Sequence, residues 1–259
     1  MENIGRIAFI GAGRMAGAIA GGLIKNGFAA DKITAFDVSK DAAAAFSAKT
    51  GVKVETGSCK KALTGAEIII IAVKPQHMAA AMMSYKPAVT DQLTISIAAG
   101  VTIERLAELT GSRRVIRVMP NTPALVGAAA SAYAVGEGVS KDDEKLTEDI
   151  LGAIGEVVQV DEKLMDAVTG LSGSGPAYVF DFIQAMADGG VHEGLPRDTA
   201  LKLAAQTVLG AAELVLKSGE HPNALRDMVT SPSGTTARGL AVLDKGALRG
   251  LVAEAVIAA

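Results

Sequence analysis

Apolar positions along the chain fall into two regimes that meet near residue 160. In the first, short β-branched runs alternate with segments of helical period. Residues 6–10 form such a run and meet Gly11; residues 14–26 then read as a helix closed by Gly27. A second strand is predicted at 32–37 and a second helix at 41–49. Residues 67–73 hold four consecutive isoleucines, Ile68 to Ile71. So short an apolar run suits a strand buried on both faces, as in a parallel sheet. Strands at 93–98 and 114–119 follow, with helices at 76–84 and 102–109 between them. Strands at 131–135 and 156–160 extend the series around a charged helix at 141–154. This alternation predicts a doubly wound α/β sheet.

Beyond residue 161 no strand is predicted. Helices are expected at 174–193, 196–218, 222–230 and 234–244, with breaks at Gly194 and Gly219. Pro196 and Pro222 sit where a first helical turn tolerates proline. In the second of these helices Leu201, Ala204, Ala205, Val208 and Ala212 recur at helical spacing, and Leu209, Leu214 and Leu216 fill adjoining faces. A helix apolar around most of its girth needs cover on several sides, which a second subunit would supply. The expected organisation is an α/β domain at 1–160 and an all-α domain at 161–259.

Composition narrows the function classes. The chain is 49% hydrophobic and 20% charged, so burial can drive folding without disulfides or metals. A net charge of −3 gives no basic field for nucleic acid. The single cysteine, Cys59, has no partner for an intrachain disulfide and makes no zinc site, so no metal is expected and a reducing, cytoplasmic setting fits. The first residues lack the cationic region of a signal peptide. The longest uninterrupted apolar run, 68–73, is far short of the ~20 residues that span a bilayer, so no membrane partner is expected.

The chemistry begins at Gly11, Ala12, Gly13, Arg14, Met15 and Ala16, a G-x-G-x-x-A pattern. Alone it is weak; here it follows a strand and opens a helix inside a βαβ unit, the context a dinucleotide site requires. Gly11 permits the tight turn, Gly13 lets backbone approach a pyrophosphate, and Ala16 lets helix and strand pack closely. The phosphates would lie on free N–H groups at the helix start. These features predict a Rossmann-like N-terminal sheet. Asp37, ending the second strand, would accept hydrogen bonds from the adenosine ribose and repel a 2′-phosphate. Ser39 and Lys40 follow and would instead bind that phosphate, so NADH and NADPH both stay open. Three more strand ends carry Ala72, Val73, Lys74 and Pro75, then Ala98, Ala99 and Gly100, then Pro120, Asn121 and Thr122. They place three loops on the edge where ligands of open α/β sheets bind, with Asn121 and Thr122 offering polar groups to ribose or carboxamide. None of the three histidines, His77, His192 and His221, is given a catalytic role.

Two Gly/Ser segments, at 170–176 and 231–236, interrupt the apolar helices, each just before a predicted helix. At these residues the chain closely resembles the pyrroline-5-carboxylate reductases over essentially its whole length. The likeness runs through Phe9 to Met15, Ala72 to Pro75, Ser96 to Thr102, Arg117 to Ala124 and Gly170 to Tyr178. It is most specific across Asp227 to Thr236. The resemblance implies reduction of 1-pyrroline-5-carboxylate to L-proline by NADPH or NADH. It implies substrate binding by Ser231, Ser233, Gly234, Thr235 and Thr236, with the Thr236 hydroxyl catalytic at the ring nitrogen. It implies a homodimer built from the helical domains, with dimers joining into a decamer. Asp37 stands where many members carry a small polar or basic-flanked residue. Two other readings compete. A β-hydroxyacid dehydrogenase carries a catalytic lysine after a similar glycine motif, and that position is Val179 here. A non-catalytic dinucleotide sensor is disfavoured by the two polar helix starts.

Overall fold

The computed structural model describes residues 4–85 and 91–259. Its elements form two compact units, residues 1–173 and 174–259.

The first unit alternates strand and helix: β1 Ile7–Ile10, α1 Arg14–Lys25, β2 Ile33–Phe36, α2 Lys40–Thr50, β3 Val54–Glu55, α3 Cys59–Leu63, β4 Ile68–Ile71, α4 Met78–Tyr85, β5 Leu93–Ser96, α5 Ile103–Thr110, β6 Val115–Met119, β7 Ala129–Val135, α6 Lys141–Gly152, β8 Gly155–Gln159 and α7 Met165–Val168. The strand order is β3-β2-β1-β4-β5-β6-β7-β8. β3 through β6 run parallel in the 3-2-1-4-5-6 order of a doubly wound dinucleotide-binding sheet. β7 turns back antiparallel to β6, and β8 pairs parallel to β7. That reversal is allowed because β6 and β7 are joined by a loop and a short 3₁₀ turn, Thr122–Val126, and not by a crossover helix.

The isoleucine run is the middle of this sheet. β4 lies between β1 and β5, and its four side chains are at most 2% exposed. Successive side chains point to opposite faces. Ile68 and Ile70 join the core under α1 and α6, while Ile69 and Ile71 join the core under α3, α4 and α5. Burying each isoleucine contributes roughly 1.5–3 kcal/mol.

Several short elements escape a reading by period. β3 has two residues and α3 five, too few for any repeat to register. Residues 75–77 form a 3₁₀ turn before α4 starts at Met78. The two units separate after Gly173, later than residue 160, because α7 and the π turn Thr169–Gly173 stay with the sheet. Met165 packs with Ala132 and Ala134 of β7.

The second unit comprises α8 Gly175–His192, α9 Arg197–Ser218, α10 Pro222–Met228, α11 Thr235–Lys245 and α12 Leu248–Ala258. No strand lies among them. α12 was not expected; it is set off from α11 by Gly246 and by Ala247 at φ +53°. α8 and α9 pair as a hairpin through Ala187, Ala200 and Ala204, where small side chains bring the helices close. Beyond that seam Leu201, Leu203, Leu209, Leu214 and Leu216 of α9 are exposed. By length and composition α9 is apolar enough to cross a bilayer, which no uninterrupted run had indicated. It carries Arg197, Asp198, Lys202, Glu213 and Lys217 along its length.

Arg114, just before β6, pins α6 to the sheet. Its guanidinium donates to both oxygens of buried Asp143, at 3.1 and 2.5 Å. Asp143 also closes a capping box with Ser140 at the start of α6. Burial pushes the Asp143 carboxyl up, but Arg114 and the Ser140 amide and hydroxyl together hold it below the ordinary carboxylate range. A carboxylate lowered in the folded state contributes stability above its unfolded pKa and loses it as pH falls through the folded one. Asp143→Asn should therefore cost about 1–3 kcal/mol at neutral pH. The gap from wild type in urea unfolding should close as pH drops below about 4. A pH-independent gap would mean that packing, and not charge, carries the contact.

Candidate active site

After β1 the chain must turn sharply, and Gly11 makes the turn at φ +98°. A Cβ there would lie 2.7 Å from the Ala72 carbonyl oxygen. The Gly11 N–H donates to the Phe36 carbonyl at 2.8 Å, tying the turn to the end of β2. Gly13 then caps α1 with no side-chain acceptor on the first-turn amides. A Cβ on Gly13 would meet no atom within 4 Å. Unfilled donors and open space at a helix start fit the pyrophosphate of a dinucleotide. Ala12 is buried, Met15 half-buried and Arg14 exposed.

Asp37 stands one residue past β2. Its Oδ2 accepts the Ala12 N–H at 2.7 Å and its Oδ1 accepts the Ser39 N–H at 2.8 Å. Ser39 caps α2, its hydroxyl accepting from the Ala42 amide at 3.2 Å, and Lys40 is the first helical residue; both are exposed.

The parallel register brings the ends of β4, β5 and β6 to this same edge. Ala72 and Val73 are half-buried, and Lys74 and Pro75 exposed. Ala98 is buried, its amide donating to Ser96 Oγ at 3.3 Å, and Ala99 and Gly100 are exposed. Pro120 and Asn121 are buried and Thr122 is exposed. The Asn121 amide, expected to face a ligand, is engaged internally. Its Nδ2 donates to the Ser172 carbonyl at 3.0 Å and its Oδ1 accepts the Ala130 N–H at 3.0 Å. It fastens the β6–β7 loop to the π turn. Arg117 was not anticipated. Its buried guanidinium lies 3.2 Å from Glu162 and 3.5 Å from Asp166, and Glu162 accepts the Ile103 N–H at 2.7 Å. The signal was available, a lone cation inside the apolar run of β6.

Of the histidines, His77 ends the 3₁₀ turn before α4, and His192 ends α8. His221 precedes α10, where Nδ1 accepts the Asn223 N–H at 3.2 Å. It is the N-cap of that helix. Burial pushes the Cys59 thiol up to about 12, which leaves it inert at neutral pH.

In the second unit, residues 231–234 form a tight turn closed by the Gly234 N–H on the Ser231 carbonyl at 3.0 Å. Ser233 takes φ +58°, a conformation side chains disfavour. The Ser231 hydroxyl occupies the space a side chain on residue 234 would need. Gly234 caps α11 with no side-chain acceptor, and the first turn holds no acidic residue. The first bond within α11 is Arg238 N–H to the Gly234 carbonyl, at 3.3 Å. The amides before it, at Thr235, Thr236 and Ala237, are donors without a helical partner, suited to an anion. Thr235 is exposed and Thr236 half-buried.

Comparison with known proteins bears on both units. Residues 162–259 match the family model described as pyrroline-5-carboxylate reductase dimerisation, and residues 6–100 match NADP oxidoreductase coenzyme F420-dependent. The pyrroline-5-carboxylate reductase of Methanosarcina acetivorans is 47% identical over 100% of this chain and 96% of its own length. A solved pyrroline-5-carboxylate reductase from Coxiella burnetii is 38% identical, with a TM-score of 0.92 over 99% of this chain and 96% of that one. That of Plasmodium falciparum, solved with NADP bound, is 35% identical, with a TM-score of 0.87 over 100% and 96%.

The two glycines of the turn should fail in different ways. Gly13→Val has room and should fold with an unchanged melting temperature, yet bind dinucleotide at least about thirtyfold more weakly by calorimetry, roughly 2 kcal/mol. Gly11→Ala should instead lower stability, by about 1–3 kcal/mol for its backbone strain and the clash with Ala72. Normal affinity in a folded Gly13→Val chain would place the pyrophosphate elsewhere.

Proposed function

The chain belongs to the pyrroline-5-carboxylate reductase family, and on that premise we propose how its residues share the reduction of 1-pyrroline-5-carboxylate to L-proline. Reduction by NADPH or NADH is the function of the chain; the roles of single residues are our assignment. The first unit, residues 1–173, binds the dinucleotide. Gly11, Ala12, Gly13, Arg14 and Met15 receive the pyrophosphate, and Asp37, Ser39 and Lys40 form the adenosine end. The strand-end loops at Ala72 to Pro75, Ala98 to Gly100 and Pro120 to Thr122 line the rest, with Asn121 supporting its loop from behind. When bound, the reduced nicotinamide supplies the hydride.

The second unit, residues 174–259, binds the imine and the partner subunit. The observation that carries this reading is the uncapped start of α11 inside the turn of residues 231–234. Its free amides at Thr235 and Thr236 and the hydroxyls of Ser231 and Ser233 hold the carboxylate, with Gly234 giving close approach. The Thr236 hydroxyl serves the ring nitrogen. As hydride adds to C5, the electron pair of the C=N bond moves onto nitrogen, which keeps or gains one proton and becomes the secondary amine of proline. No strong acid or base stands in the turn, so these residues act chiefly by binding the imine and orienting its C5 toward the hydride donor. A cytoplasmic setting belongs to the same proposal, supported by the single, unpaired Cys59.

The chain self-associates through the helical domain. The exposed leucines of α9, together with Phe180 and Phe182 of α8, are the apolar surface this requires. Light scattering at micromolar concentration should give a homodimer or a multiple of it; a fully active monomer would refute the assignment.

Activity is tested by adding 1-pyrroline-5-carboxylate to the purified chain and following loss of reduced-nicotinamide absorbance. Thr236→Val keeps the shape and deletes the hydroxyl, a loss of about 1–3 kcal/mol once the bound imine covers this half-buried group. The expected fall in kcat/KM is roughly 5- to 150-fold, with dinucleotide affinity unmoved. A fall in kcat would mark a bond made in the transition state; a rise in KM alone would mark binding. Wild-type kcat/KM in this variant would reduce the turn to a helix start.

A further inference from the structure

The residues of the glycine turn have no means of setting their own conformation. Gly11, Ala12 and Gly13 carry no polar side-chain atom, and a Cβ on Gly13 would meet nothing within 4 Å. The turn must be held from outside, and the structure shows by what. On the β2 side the Gly11 N–H bonds the Phe36 carbonyl, and the next amide, that of Ala12, bonds the Asp37 carboxylate at 2.7 Å. The second Asp37 oxygen takes the Ser39 amide at 2.8 Å, fixing the entry to α2. One half-buried side chain thus joins two loops 25 residues apart in sequence.

We propose that Asp37 is a positioning residue of the dinucleotide site, which holds the glycine turn open to the pyrophosphate for NADPH and NADH alike and does not sort the two by its charge. This rests on the family's reaction and on the glycine turn as pyrophosphate site. Each oxygen of the carboxylate already faces an amide dipole, so the field it turns toward a 2′-substituent is reduced. The exposed Ser39 and Lys40 at the start of α2 supply hydroxyl and cation for a 2′-phosphate, so neither cofactor is excluded at this end. The pyrophosphate, common to both, depends on the geometry of the turn. Removing Asp37 leaves the buried Ala12 amide without its acceptor, and the turn must relax to find another.

The experiment compares wild type, Asp37→Ala and Asp37→Asn as full-length chains, titrated with NADPH and with NADH by calorimetry and nicotinamide fluorescence. Asp37→Ala should raise Kd for both about tenfold or more, the yield of losing the charge-assisted bond to the Ala12 amide. The ratio of the two constants should move less than about threefold. Asp37→Asn keeps one acceptor oxygen and should recover part of the loss for both. KM for 1-pyrroline-5-carboxylate at saturating dinucleotide should stay near wild type, which a general loss of structure would not permit. Should the alanine variant fail to fold, the asparagine variant carries the same comparison. Tighter NADPH binding, a tenfold change in the ratio, or unmoved constants would each overturn the proposal. Failure of the underlying reading is distinct, since the wild-type chain would then bind neither dinucleotide.

Discussion

The pairing of β1 with β4 is the constraint on which the rest of the molecule depends. Ile7 faces Ile68 and Ile10 faces Ile71, and both strands are buried on two sides. With helices on each face, a one-residue slip would move every isoleucine to the other core. The register therefore brings Gly11 beside Ala72, with the Ala72 amide on the Ile10 carbonyl at 2.8 Å. A turn that passes so close to backbone has room only for glycine, and it delivers the start of α1 to the edge where β4, β5 and β6 also end. The dinucleotide site is in this sense a consequence of core packing.

What surrounds that site is held largely by side chains that bond backbone. Asp37 takes two amides, Asn121 a carbonyl and an amide, and Glu162 the amide that opens α5. Loops at strand ends lack the ladder bonds of the sheet, and their buried polar backbone must be paired by something. Side chains that do so convert a mobile edge into one of defined shape. The cost is that such residues look, in one dimension, like ligand contacts.

The helical unit follows a different economy. Its buried residues are alanines at the α8–α9 seam, and its large apolar side chains face outward from the single chain. Such a unit is completed by association, consistent with its match to a dimerisation family. At the start of α11 the same chain leaves donors uncapped and spaces them around a strained serine, an arrangement that stability alone does not favour.

The order of strands and helices, the glycine turn and the two polar helix starts were legible in the sequence because each rests on local rules. Those rules are the period of burial, the φ that only glycine adopts readily, and the donors left at a helix start. The short β3 and α3 were not legible, since two and five residues carry no period. Nor was the antiparallel β7, whose direction depends on whether a loop or a helix precedes it in space. Asp37 and Asn121 show the deeper limit. The sequence by itself marked both as polar groups at strand ends on the ligand edge. Only the tertiary structure decided that their bonds go to Ala12, Ser39, Ser172 and Ala130, because those partners lie up to 51 residues away and are brought near by the register of the sheet.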